Sequence, residues 1–560
     1  MVLLEDEEYR AIVTESERLR SEKLALETLA RENAQKIAKL EAKAASLEQN
    51  NSVLMEYYAL SRQKQFGISS EKTDVAQEQM LFNEAEACAD PSAPEPEIVI
   101  SAHTRTKKPR GSREIDLSLL PVEEIRYELS DDEKGCPNCS TEMHQIGEEV
   151  TSKLRYEPGH FVHEKHIRPV MGCRPCDYNE TSTPIITAKM PEQAFPKSLA
   201  SASLVAHIMM RKYVEGLPLY RQEQQFRRAG IALSRQNLSN WVIAGSGWLE
   251  HIYKALHAKL REQDIAHADE TDLQVLREPG RAAQTKSTMW LYASSRYNPA
   301  IRLYEYQRTD AREHALIFLA GFNGYLHVDG KVVYKNLPGV KPVGCWSHAR
   351  RKYADVIKIM PAEAQKRCNT PAHVGRKFCN DLFDIERSLV EATPEERRAT
   401  RQVRSRKVID EYRAWLDIML VEATSQSKLG AAIRYSINQW DDLVRFMEDG
   451  RLEIDNNRAE RAIKTFVIGR KNWMFATSPA GAKASAITYS IVETAKENNL
   501  DPMKYMTLLF KQLPELCLSN RNLKDKSSVN ELLPWTDYIQ QSCMAKPEPK
   551  NITQKYKNLG

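Results

Sequence analysis

Residues 265–276 (IAHADETDLQVL), 285–296 (TKSTMWLYASSR) and 300–308 (AIRLYEYQR) alternate polar and apolar side chains at the two-residue period of a strand. They read as three successive antiparallel strands. A helix ended by glycines follows at 311–324 (AREHALIFLAGFNG). Then come a short buried strand finishing in a carboxylate, 325–330 (YLHVDG), and a further strand at 340–346 (VKPVGCW). If the first and fourth strands are neighbours, Asp269 and Asp329 converge. Two carboxylates brought together repel, and one protonates unless a cation intervenes. A divalent ion with a preference for oxygen, Mg²⁺ or Mn²⁺, removes the conflict and leaves open positions for phosphate oxygens.

Three strands, a helix, a strand, a short helix and a strand describe the ribonuclease-H-like α/β order. A third carboxylate would complete a site for two ions, one activating the attacking oxygen and the other stabilising the leaving oxygen. The best candidate lies in 454–464 (IDNNRAERAIK), where Asn456 or Asn457 is placed to cap a helix that carries Glu460. Asp455 is the closest competitor. Arg458, Arg461, Lys464, Arg470, Lys471 and Trp473 border the candidate, cations and an aromatic suited to a nucleic-acid backbone and an unstacked base. An exposed helix laced with ion pairs is the competing reading. About 130 mostly helical, charged residues separate Asp329 from Glu460, too many for an ordinary loop. They predict a helical insertion at about 350–450. Cys345-Trp346-Ser347-His348 opens it, followed by Arg350 and Arg351; we read this segment as packing or orienting DNA, since two ligands alone do not hold a metal.

Upstream, Cys136-Pro137-Asn138-Cys139 and Cys173-Arg174-Pro175-Cys176 flank a strand-rich stretch, the spacing of a closed four-thiolate structural zinc ribbon. His160, His163 and His166 between the knuckles read as exposed strand histidines. Residues 199–242 form two amphipathic helices broken at Gly230, with Ser234 placed to cap the second. Arg235, Gln236 and Asn237 then sit where a helix-turn-helix reads base edges; a structural helical subdomain is the alternative.

At the start of the chain, Ile12, Leu19, Leu26, Asn33, Leu40, Leu47 and Leu54 recur every seven residues without Gly or Pro between them. This is a coiled-coil seam, and its lone asparagine is a device for setting register. The second seam (Ser16, Lys23, Ala30, Ile37, Ala44, Asn51, Tyr58) is poor, so association should be weak. A helix packing on its own chain is the competing reading. Residues 88–114 mix Pro, Ser and charge as linkers do, with Arg105, Lys107, Lys108 and Arg110 making the segment basic.

The chain of 560 residues exceeds one compact core, and 80 basic against 76 acidic residues exclude a simple polycation. No apolar run approaches a membrane span, the acidic start is unlike a signal peptide, and ten cysteines are few, all pointing to the cytosol.

The segments FGISSEK, the paired CxxC, LPLYRQEQQFRRAGIALSRQNLSNWV, ADET, VDGKVVY, GCWSHARRKY, DNNRAERAIKTFVIGRKNWMF, ETAKENNLDPMKYM and ELLPW together resemble the IS66 family of insertion-sequence transposases over nearly the whole chain. The resemblance implies that Asp269, Asp329 and Glu460 are the catalytic D, D and E. It implies an enzyme that binds terminal inverted repeats, frees a 3′-hydroxyl by hydrolysis and joins it to target DNA with two metal ions. It also implies a homo-oligomer, at least a dimer, and leaves room for small accessory proteins of the same element as partners. Lys331 stands where the family commonly has an aromatic residue. The resulting expectation is a multidomain α + α/β protein. Its parts are a coiled coil (1–75), a linker (76–120), a zinc ribbon (121–190), a helix-turn-helix-like region (191–260), a ribonuclease-H-like catalytic domain (261–495) with its helical insertion, and a C-terminal extension (496–560). A nuclease without strand transfer and a non-catalytic DNA-binding regulator are the alternatives.

Overall fold

The computed structural model describes residues 6–66, 122–138, 141–157, 159–173, 185–366, 368–424, 426–519 and 527–545. The expected linker, Cys139, Cys176, most of FGISSEK and the last fifteen residues lie outside them. The chain divides into two compact units. One comprises 1–72, 348–391 and 399–440, and the other 73–347, 392–398 and 441–560.

In the first unit, residues Asp6–Phe66 form one uninterrupted helix. Its heptad residues Ile12, Leu19, Leu26 and Leu40 are all more than half exposed, which runs against a seam packed on its own chain. The rest of this unit is helical, built mainly from the Pro371–Ser388, Arg406–Glu422 and Lys428–Asn438 helices, over the span where an insertion was expected. A buried hydroxyl chain joins them: Tyr353 and Tyr412 are 2.8 Å apart, and Tyr412 donates to Ser436 at 2.8 Å. Arg401, fully buried, holds Glu386 in a bidentate pair (2.8 and 2.7 Å).

The second unit holds two sheets. The smaller has strand order β1-β3-β2, with β4 on β3: β1 (Val122–Arg126), β2 (His144–Glu157), β3 (His160–Gly172) and β4 (Ile185–Thr187). β2 and β3 form a long hairpin turned at Gly159, whose φ of +97° suits a residue without Cβ. His163 and His166 are buried, not exposed as the alternation suggested, because both faces of β3 are partly covered; His166 Nδ1 lies 2.8 Å from the Tyr127 hydroxyl.

The larger, five-stranded sheet has the order β7-β6-β5-β8-β9. β5 (Ile265–Gln274), β6 (Lys286–Ser294) and β7 (Arg302–Gln307) are antiparallel; β8 (Gly324–His327) and β9 (Val340–Val343) run parallel to β5. β6 is buried along almost its whole length, so its run of apolar residues faces packed layers on both sides. The exposed edge of β7 is closed by a helix, Pro479–Glu497. Ser490 Oγ accepts from Tyr304 N–H at 2.8 Å and Thr494 Oγ1 from Arg302 N–H at 3.0 Å, so side-chain hydroxyls satisfy the free strand backbone.

The helices Ala202–Tyr213 and Arg235–Arg261 share one continuous core with this sheet and with the Pro502–Ser519 helix. Val205, Met209, Trp241, Leu249, Ile487, Tyr505 and Phe510 all belong to it. The expected borders near 260 and 495 therefore do not separate independent domains, since no hydrophobic boundary exists there. Gly230 (φ +77°) does break the helices, and Ser234 Oγ does accept from Asn237 N–H, at 3.3 Å.

Candidate active site

β5 and β8 pair in parallel from Ile265↔Tyr325 to His267↔His327. Asp269 and Asp329 each stand two residues beyond that last pair, and so emerge side by side. Carboxylate oxygens of Asp269, Glu270 and Asp329 lie within 4.8 Å of one another. Burial pushes the Asp269 carboxyl up to about 7, with Glu270, Asp329 and Glu460 adding repulsion and the Glu270 N–H (2.9 Å) opposing it. An all-oxygen donor set whose charges repel fits a hard divalent cation.

Glu270 was not anticipated. Burial raises its carboxyl too, while Lys331 Nζ pairs with it and the Tyr334 hydroxyl donates to it at 2.6 Å. Lys331, the departure noted above, thus supplies a counter-charge inside the acidic cluster. Its own N–H donates to Asp329 Oδ1 at 3.1 Å, which closes the turn after β8 on the carboxylate.

Glu460 lies in the first turn of the helix Asn457–Trp473, close enough for its charge to raise Asp269. Its competitor Asp455 is engaged in the helix start. It accepts from Asn457 N–H at 3.1 Å, from Asn457 Nδ2 at 2.6 Å and from Ser347 Oγ at 3.1 Å. Asp455 is thereby the capping side chain, the role expected of Asn456 or Asn457. Asn456 instead turns inward: its Nδ2 donates to Ala268 O at 2.8 Å, and its Oδ1 lies 3.1 Å from His267 Nδ1. With the amide N–H engaged on Ala268, the proton of that second contact resides on His267 Nδ1. Burial holds His267 down to about 4, neutral. Its ring stacks on His327, centroids 4.3 Å apart and 11° from parallel. The sequence carried a signal for this pair, the repeated His-x-Asp of 267–269 and 327–329.

Residues 197–484 match the model of the Transposase IS66 family, just over half of the chain. The chain belongs to the IS66 transposase family. Further matches are a zinc-finger binding domain of transposase IS66 (133–177), a Transposase C of IS166 homeodomain (53–125) and an IS66 C-terminal element (490–535). Two relatives from Sinorhizobium fredii (strain NBRC 101917 / NGR234) carry the descriptions "Uncharacterized protein y4jD" and "Uncharacterized protein y4qI". The first is 31% identical over 447 residues, covering 76% of this chain and 83% of its own; the second is 27% identical over 521 residues, covering 90% and 92%.

Within this IS66 transposase the residues expected to touch DNA divide into groups. Arg461, Lys464 and Lys471 are exposed on one face of the Asn457–Trp473 helix, and Arg470 is half-buried. Arg458 is paired with Glu453 at 3.3 Å. Trp473 is buried edge-on to Phe466 (centroids 5.4 Å), which removes it from any base-stacking role: its indole fills the core beneath the helix. Arg235 is held by Glu223 at 3.0 Å and lies over the Tyr220 ring, whereas Gln236 and Asn237 are half-exposed. In the other unit Arg350 and Arg351 are exposed, and Arg350 Nε donates to Asn380 at 2.6 Å. In the zinc-finger region Cys136 and Cys173 are buried in one small cluster with Met143. No described helix is long and apolar enough to cross a membrane.

Proposed function

We propose that this chain is the DDE transposase of an insertion sequence, which binds terminal inverted repeats, cleaves a phosphodiester there and joins the freed 3′-hydroxyl to target DNA. The observation that carries the reading is the emergence of Asp269 and Asp329 side by side from paired strands, with the charge of Glu460 acting on the same centre. The strand order of the larger sheet, three antiparallel and two parallel, supports a ribonuclease-H-like catalytic domain.

Asp269, Asp329 and Glu460 would hold two Mg²⁺ or Mn²⁺ ions, which supply activation of the attacking oxygen and stabilisation of the leaving oxygen. The carboxylates set the position of the reacting phosphate, and Lys331 balances the excess charge of Glu270 beside them. Arg461, Lys464 and Lys471 give the backbone of the DNA a basic track leading away from Glu460. Gln236 and Asn237, at the start of their helix, face solvent in part and are the base-reading candidates. Cys136, Cys139, Cys173 and Cys176 would hold a structural Zn²⁺; the burial of Cys136 and Cys173 in one cluster supports it. The exposed heptad seam supports a homo-oligomer, at least a dimer. The protein would work on the bacterial nucleoid in the cytoplasm, with small accessory proteins of the element as further partners.

The test is Mg²⁺-dependent joining of a labelled element end to a plasmid, comparing wild type with Glu460→Gln. Joining by wild type alone is expected. Joining by both assigns the third ligand elsewhere, to Asp455 or Glu270. Hydrolysis without joining by wild type makes the protein a nuclease.

A further inference from the structure

Asn456 is 1% exposed and stands immediately before the helix that carries Glu460. An asparagine in that place ordinarily folds its side chain back onto the helix N–H groups. Here the side chain bonds across to β5, reaching the carbonyl of Ala268, the residue before Asp269, and the ring of His267. The backbone of Asn456 completes the junction. Its N–H donates to Cys345 Sγ at 3.3 Å, and its carbonyl accepts Glu460 N–H at 3.1 Å. Beyond His267 lies the stacked ring of His327, two residues before Asp329, and His327 Nε2 accepts from Glu453 N–H at 3.4 Å. One buried residue is therefore tied to the chain beside all three candidate ligands: its side-chain amide reaches β5 directly and β8 through two stacked rings, and its backbone carbonyl reaches Glu460 through the first helical hydrogen bond.

We infer that Asn456 is a positioning residue of the metal centre, which fixes the register of Glu460 against Asp269 and Asp329 through the Ala268 carbonyl and the His267–His327 stack. The inference rests on the reading of those three carboxylates as metal ligands. The physical reason is the tolerance of such a centre. Ligating carboxylates must be held to within roughly half an ångström by neighbours that are themselves locked. Glu460 has a flexible side chain on a helix separate from the sheet, so its placement depends on what ties the helix start to the strands.

The experiment measures Mn²⁺ binding to the full chain by electron paramagnetic resonance of the free ion. Wild type, Asn456→Leu, Glu460→Gln and the double variant are compared, with thermal unfolding followed in parallel. Leucine matches asparagine in size and branching but has neither donor nor acceptor. Asn456→Leu is expected to raise the half-saturating Mn²⁺ concentration about tenfold, the usual scale for a residue that orients a ligand. Because it acts through Glu460, the double variant should be no weaker than the weaker single variant. A purely structural role would lower the melting temperature and leave Mn²⁺ binding unchanged, or would make the two losses multiply; either result overturns the inference while the reading of the site stands. If Asn456→Leu does not fold, His267→Phe replaces it, since the phenyl ring keeps the stack on His327 and loses only the Nδ1–H. About tenfold weaker binding is then expected, and unchanged binding overturns the inference. Wild type that binds no Mn²⁺ overturns the metal-site reading, and this inference with it.

Discussion

Glu305, on β7, shows how a single half-buried acid in this protein couples folding to pH. Burial pushes its carboxyl up to about 7, and the only opposing effect is the hydrogen bond from Gln307 Nε2 to Oε1 at 3.0 Å. Its charge also acts on the phenols of the half-buried Tyr253 and the buried Tyr292, raising both further. In the unfolded chain the same carboxyl ionises near 4.5, the ordinary glutamate value. The folded state therefore binds more protons than the unfolded state between those two values. The stability associated with Glu305 is full below about 4.5 and is lost as pH rises through about 7. The loss at pH 8 is on the order of 3 kcal/mol. Glu305→Gln keeps the shape without the charge. Its melting temperature should exceed that of wild type by a few degrees at pH 8 and match it at pH 5. Parallel melting curves for the two proteins across that range would defeat this account.

At the scale of elements, the helix Asn457–Trp473 is placed from two directions. Its start is tied to β5 by Asn456, and its middle is fixed by the Tyr304 hydroxyl, which donates to Ala462 O at 2.7 Å. Further along, Gly469 lets the helix close on Pro479–Glu497, for a Cβ there would overlap the Tyr489 hydroxyl. Gly469→Ala should therefore push the two helices apart and cost about 1–3 kcal/mol in stability. Removing the obstructing oxygen with Tyr489→Phe should restore most of that loss in the double variant. Thermal unfolding of the two single variants and the double checks it; additive losses would mean that the contact is not the cause. Here the sequence reading succeeded in part. The helix start and its run of cations were legible, and Arg461 and Lys464 are exposed in the structure. Trp473 was misread because a tryptophan beside cations has the same local pattern whether it faces DNA or the core. Only the packing partner, Phe466, distinguishes the two.

For the whole molecule, the long first helix and the sheet-bearing unit present different kinds of surface. The sheet unit buries its large apolar residues in one core that runs through the 199–242 helices, the sheet and the C-terminal helices. The first helix leaves Leu19 at 53% and Leu26 at 65% exposed, on the heptad seam. Exposed leucines at that interval are stabilised by pairing with another seam. Leu19→Lys combined with Leu26→Lys should convert the protein from an oligomer to a monomer in light scattering, with Mn²⁺ binding unchanged. An unaltered mass would place the oligomer contact elsewhere.

By itself the sequence determined the elements and their local chemistry. A two-residue alternation marks β5 to β7, a seven-residue repeat marks the first helix, and two CxxC pairs mark a thiolate site, because each is a short-range geometric rule. The positions of Asp269 and Asp329 were legible for the same reason: one lies within and the other just after a strand that has its own pattern. Tertiary structure alone decided what stands beside them. The register of β5 on β8 stacks two histidines and aligns two aspartates, and it brings Glu270, Lys331 and Tyr334 into one cluster. It also turned Asn456 from the expected cap into a bridge, since the choice between a helix N–H and a strand carbonyl depends on which acceptor a neighbouring element brings within reach. Domain borders were illegible for a related reason. A helix that covers a sheet and a helix that stands free carry the same apolar face, and only the partner against which that face is buried tells them apart.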